Sequence, residues 1–103
     1  MSPIAKNCHT DVRVHHQRTA CGKVQTYIEA MATADKKADY VQIRFNIVTC
    51  TIFVSVYAVG SGLHQHTIRW SSAFPTEPTL GDMIEAAESL ARAEWFKLFP
   101  EAV

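Results

Sequence analysis

Between Phe45 and Ile68 the chain carries no Asp, Glu, Lys or Arg, and this uncharged run constrains the fold more than any other feature. Its segment FNIVTCTIFVSVYAVGSGL is long enough to cross a bilayer as a helix. Its chemistry argues against that: the run is rich in β-branched residues, Thr, Ser and Asn recur within it, and Gly60-Ser61-Gly62 breaks it. The period is that of strands. In DYVQIRFNI, Val41, Ile43, Phe45 and Ile47 alternate with Gln42, Arg44 and Asn46, the pattern of a half-buried strand. In TIFVSVYAV the apolar parity moves to Ile52, Val54, Val56 and Ala58, with Phe53 and Tyr57 opposite. A change of parity requires a turn or a bulge near Val48 to Thr51, and a turn is the expectation. Gly60-Ser61-Gly62 offers the positive φ of a tight hairpin, and LHQHTIRW after it reads as a third strand.

Helical period flanks this meander. Thr19 is placed to cap a first helix running to about Asp35, because Val24, Tyr27, Ile28 and Met31 recur at i, i+3, i+4 and i+7. The polar cluster Asp35-Lys36-Lys37 then ends it. After the proline-marked loop SSAFPTEPT, Thr79 followed by Asp82 forms a variant capping box. Leu80, Met83, Ile84, Ala87, Leu90, Ala91, Trp95 and Leu98 hold helical period from there almost to Pro100. The expected fold class is α+β: helix, three-stranded antiparallel meander, helix, with both helices packed on the sheet. Residues 1–17 read as an N-terminal arm, a loose tail or a short strand at VRVHH, and residues 18–103 as a single α+β domain.

With 103 residues the chain fits one domain with one modest core. Ten basic residues balance ten acidic ones, so bulk charge draws the protein neither to nucleic acid nor to an anionic membrane. The charges are segregated, however: residues 1–44 hold seven basic and four acidic groups, residues 77–103 two basic and six acidic. The three cysteines, an odd count, and an opening MSPIAKNCH without a secretory apolar run suggest free thiols and a cytoplasmic setting.

The stretch CHTDVRVHHQRTAC raises the question of a metal. Zinc sites recruit ligands in pairs two to four apart, whereas Cys8 and His9 are adjacent, as are His15 and His16. Cys8, His15, His16 and Cys21 are therefore weak metal candidates, and no cofactor is expected. His64 and His66, at i and i+2 on a strand, lie on one face about 7 Å apart. They lack a third ligand or an orienting carboxylate in sequence, which favours ordinary sheet residues over a metal or proton-coupled site. Cys50 sits in apolar surroundings that leave thiols inert. No glycine-rich loop leads into a helix, so nucleotide hydrolysis is not expected.

What remains is surface. The second helix carries Asp82, Glu85, Glu88 and Glu94, and its end EWFKLF sets Phe96 and Phe99 beside Trp95 and Leu98. Carboxylates next to aromatic side chains make a protein-binding patch, a homodimer contact or a turn folded back on the core. The element order resembles that of the double-stranded-RNA-binding domain over most of residues 19–99. That family begins its second helix with lysines aimed at RNA, and TLGDMIEAAESLARAEWF puts Asp82, Glu85 and Glu88 there, which would repel phosphate. In size, lack of catalytic groups and α+β layout the chain also resembles the small phage-encoded anti-CRISPR proteins, a group without a common motif. That resemblance implies a non-catalytic inhibitor, working in the host cytoplasm, that occupies a Cas protein or its guide-RNA complex and blocks DNA recognition or nuclease recruitment. Asp82, Glu85 and Glu88 would then meet the partner, without direct nucleic-acid or membrane binding. Two other readings stand beside it. One is a nucleic-acid or metal-responsive module using Lys6, Arg13, Arg18 and Lys23 with His15 and His16; the other is a small enzyme built on His64 or His66.

Overall fold

Each strand of this chain pairs antiparallel with the one before it in sequence, and the result is a continuous meander. The structure, a computed structural model, describes residues 8–34 and 38–100. Its elements are β1 (Cys8–Arg18), β2 (Val24–Ala34), β3 (Tyr40–Asn46), β4 (Thr51–Ala58), β5 (Gly62–Arg69), a one-turn helix α1 (Trp70–Ala73) and a long helix α2 (Leu80–Leu98). The strands form one antiparallel sheet in the order β1-β2-β3-β4-β5.

The expected helix, three-stranded meander, helix is therefore corrected. Residues 24–34 are a central strand, not a first helix, and the sheet has five strands, not three. Val24, Tyr27, Ile28 and Met31 do fit a helical stripe, but Ile28, Ala30, Ala32 and Ala34 also alternate with Glu29, Met31 and Thr33. Tertiary pairing decides between the two periods: β2 is bonded along its full length to β1 and over Tyr27–Thr33 to β3. All four members of the even set are buried. Alanine is a strong helix former, and its propensity is overridden here. Thr19, expected as a helix cap, instead closes the β1–β2 turn: its N–H donates to the Lys23 carbonyl at 2.7 Å, and its own carbonyl accepts from Gly22, whose φ is 85°. The proposed helix end at Asp35-Lys36-Lys37 lies outside the described residues.

Of the N-terminal arm, residues 8–18 form β1, an edge strand in register with β2 from Cys8↔Ala34 to Arg18↔Val24. Residues 1–7 lie outside the described part. The β3–β4 turn falls where the parity change requires one. Asn46 is buried there, and its side-chain oxygen accepts the N–H groups of Val48 and Thr49 at 3.0 and 3.2 Å. The turn ends with Cys50 at φ 53°, a left-handed conformation that seldom suits a residue other than glycine.

One face of the sheet is covered and the other is open. Helix α2 lies across β1, β2 and β3 and buries Met83, Ala87, Ala91, Glu94 and Trp95. Beneath it are Ile28, Ala30 and Ala32 from β2 and Val41, Ile43 and Phe45 from β3, all fully buried. Trp70 and Phe74, at either end of α1, meet Phe45 edge-on at 5.9 and 5.7 Å and close the end of the core. No helix among the described residues is long and apolar enough to cross a membrane.

Two tests follow from this packing. Trp95 is fully buried, yet its indole N–H has no hydrogen-bond partner among the described residues. Trp95→Ala is expected to cost about 3–5 kcal/mol in urea unfolding, and Trp95→Phe distinctly less, because it also removes an unpaired donor worth roughly 1–3 kcal/mol. Equal losses would contradict this account of the indole. At the other end of α2, the Thr79 backbone N–H donates to the Asp82 carboxylate at 3.0 Å and holds its pKa below the ordinary value, with the Thr79 hydroxyl adding to the effect. A folded pKa lower than the unfolded one means that the cap stabilises above the ordinary carboxylate pKa and is lost as pH falls through the lowered value. Melting curves from about pH 5 to about pH 2 should show a smaller acid-induced loss of Tm for Asp82→Asn than for the native chain.

Candidate functional site

Strand pairing arranges the open face as a grid. One row across the sheet reads Arg13, Glu29, Arg44, Phe53 and Thr67; the next reads Asp11, Met31, Gln42, Ser55 and Gln65. The rows outside these are His15, Tyr27, Asn46, Thr51, Arg69 and His9, Thr33, Tyr40, Tyr57, Leu63. Odd-numbered residues on β1, β2, β4 and β5, and even-numbered ones on β3, thus share a surface that neither α1 nor α2 covers.

The polar groups on this face are largely held in place. The Arg44 guanidinium carbon lies 4.8 Å from the centre of the Tyr27 ring, a cation–π contact that flattens Arg44 onto the sheet. Glu29 accepts from Gln42 at 2.6 Å and faces the His15 ring nitrogen at 3.4 Å. Gln65 donates to Ser55 at 3.2 Å, Arg13 is paired with Asp11 at 2.8 Å, and the rings of Tyr40 and Tyr57 stack at 5.5 Å. Phe53 stands among them 43% exposed, and Leu63 is 51% exposed. Between Tyr27, Arg44, Phe53 and Gln65 the surface sinks into a shallow depression of about 390 Å³.

The residues singled out from the sequence lie elsewhere. Asp82 is committed to the cap of α2, and Glu88 accepts from Arg92 at 3.2 Å and from the Thr10 hydroxyl at 3.4 Å, which ties the helix to β1. Glu85 faces solvent. Glu94 is 8% exposed, paired with Lys97 at 2.5 Å and 3.8 Å from His66. Phe96 and Phe99 are half-buried against the core, Phe99 with its ring 4.8 Å from that of Trp95. The acidic strip thus divides: Asp82, Glu85 and Glu88 remain at the surface, while Glu94, Phe96 and Phe99 turn towards the sheet. The spacing of Glu94 three residues after Ala91 and seven after Ala87 was the available sign of its burial.

The weak metal candidates are dispersed. Cys8 opens β1 and Cys21 lies in the turn beyond its other end, roughly 30 Å away at strand spacing. His15 and His16 project to opposite faces, towards Glu29 and Thr26 respectively. Among the described residues no three His, Cys, Asp or Glu side chains stand where they could hold a metal ion together. His64 and His66 lie exposed on the helix side of β5, with Glu94 beside His66. A wider hollow of about 700 Å³, between the start of β4 and the start of α1, is lined by Cys50, Ile68, Arg69 and Trp70 and by no carboxylate or imidazole.

The thiols differ in their surroundings. Cys21 is exposed, its sulfur 3.1 Å from the Thr19 hydroxyl; that hydrogen bond, aided by the Lys23 backbone, lowers its pKa. Burial raises that of Cys8, with Arg92 partly opposing the effect. Alkylation by iodoacetamide near neutral pH, followed by peptide mass spectrometry, should label Cys21 several-fold faster than Cys8, and Thr19→Val should narrow the gap. Equal rates would remove the assigned role of Thr19.

No family model matches the chain, and neither a curated protein nor a solved structure matches it.

Proposed function

We propose that this is a non-catalytic binding protein whose open sheet face covers a carboxylate-bearing patch on a protein partner. The observation that carries this reading is the make-up of the face. Tyr27, Tyr40, Phe53, Tyr57, Met31 and three arginines are gathered there, and none of its described residues is a lysine. Aromatic residues, Met and Arg are the types enriched in the cores of protein interfaces, and lysine is depleted there. Arg13 is matched by Asp11, while neither Arg44 nor Arg69 has a carboxylate partner among the described residues. Those two are left to meet acidic groups of the partner.

The charge of the face favours protein over nucleic acid. Three arginines against Asp11 and Glu29 leave a formal excess of one, too little to drive phosphate binding through counterion release. The packed order of Arg44, Glu29 and Gln42 also supports recognition, since side chains already in place lose less entropy on binding. Inhibition of a Cas protein or its guide-RNA complex by occupancy is one instance of this proposal. On the acidic helix, Glu85 and the paired Glu88 are what the alternative contact surface would use.

A photo-crosslinking residue in place of Phe53, compared with the same residue in place of Glu85, tests the reading in cells of the native host. A single protein adduct from position 53, lost on Arg44→Glu, is the expected outcome. With the partner in hand, Phe53→Ala and Arg44→Ala should each weaken binding about 10-fold or more, in the range of interface hot spots, and leave Tm nearly unchanged. Adducts from position 85 alone would transfer the role to α2, and a nucleic-acid adduct at 53 would overturn the choice of partner.

A further inference from the structure

The two edges of the sheet are built differently. Edge strand β1 carries Asp11, Arg13 and Arg18, charges that oppose pairing with another strand. Edge strand β5 has none of the usual protections along Gly62–Ile68: no proline, no charge, and a register with β4 that runs unbroken from Thr51↔Arg69 to Ala58↔Gly62. Its residues from Leu63 to Thr67 are all exposed, so neither the loop after α1 nor α2 covers that edge. A regular strand of this kind presents unpaired N–H and C=O groups ready to extend the sheet.

Its sequence selects what pairs with it. His64-Gln65-His66 reads the same in both directions. When two copies run antiparallel about a two-fold axis at Gln65, Gln65 faces its counterpart on the open side, where amide can bond amide. On the helix side each His64 faces the other copy's His66. Leu63 and Thr67 face each other's counterparts, so every polar group meets one of its own kind or a neutral neighbour. We propose that β5 pairs with β5 of a second copy in this register, giving a closed two-fold dimer with a continuous ten-stranded sheet and both α2 helices on one side. Pairing β5 to β1 would be head-to-tail and would propagate without closing, and the charges of β1 discourage it. The open faces of the two copies then form one surface, so the dimer would present the aromatic and arginine grid twice.

Sedimentation velocity over a range of concentrations, with the full chain, is the first measurement, and a monomer–dimer equilibrium is expected. Gln65→Lys places like charges across the axis and should raise the dimer dissociation constant at least about 10-fold, while circular dichroism and Tm stay close to native. The register is read by crosslinking in a background where Cys8, Cys21 and Cys50 are serine. Gln65→Cys should then oxidise to a disulfide-linked dimer; Leu63→Cys alone should not, whereas an equimolar mixture of Leu63→Cys and Thr67→Cys chains should. A chain that stays monomeric at the highest concentration reached, a dimer unaffected by Gln65→Lys, or equal crosslinking at positions 63 and 65 would each overturn the proposal.

Discussion

A single helix has to seal one face of a five-stranded sheet, and that requirement explains most of what is particular to the core. An α-helix is a narrow cylinder, so it can cover three strands closely only if the floor below it is low. Strand β2 supplies the floor with Ala30, Ala32 and Ala34, and α2 answers with Ala87 and Ala91. Larger residues fill the flanks, Ile43 and Phe45 from β3 and Trp95 from the helix. The outer strands receive less cover, and half-buried or exposed Val14, His64, His66 and Ile68 mark where the helix no longer reaches. Glu94 is tolerated at the helix underside because Lys97 and His66 stand at that margin.

How far the sequence could be read follows from the same packing. The parity change between Phe45 and Ile52, the Gly60-Ser61-Gly62 hairpin and the Thr79–Asp82 cap are local signals with local causes, and β3, β4, β5 and α2 lie where those signals put them. VQTYIEAMATA is different, because Val24, Tyr27, Ile28 and Met31 satisfy a helical stripe while Ile28, Ala30, Ala32 and Ala34 satisfy a strand face, and the choice rests on partners distant in sequence. The small alanines weaken the strand alternation as a signal, although their purpose is to admit a helix from elsewhere. Strand β1 was obscured for another reason: at the edge of the sheet, with little cover, VRVHHQR has no need of a strict apolar face.

The surface was less legible than the core. The acidic residues of α2 are conspicuous as a list, but Asp82 caps, Glu88 holds Thr10 and Arg92, and Glu94 is buried. The open-face grid could not be assembled from the chain without the register of all five strands. Tyr27, Arg44 and Phe53 are far apart in sequence, and residues 27 and 44 face the same side only because the β2–β3 pairing sets Tyr27 opposite Asn46. The signal was present in part, since Arg44 and Phe53 were both on the side opposite the apolar parity of their strands.

The bond network joining Thr10 to Glu88 and Arg92 spans some eighty residues of sequence, whereas every strand pairs with its immediate neighbour in the chain. Synthesis therefore delivers the five strands before the helix that covers them. Until α2 emerges from the ribosome, the face holding Ile28, Val41, Ile43 and Phe45 lacks the helix that covers it. The growing polypeptide must pass through a stage in which its most apolar surface is wet, and the helix acts as a closing lid on a sheet that cannot complete its core alone.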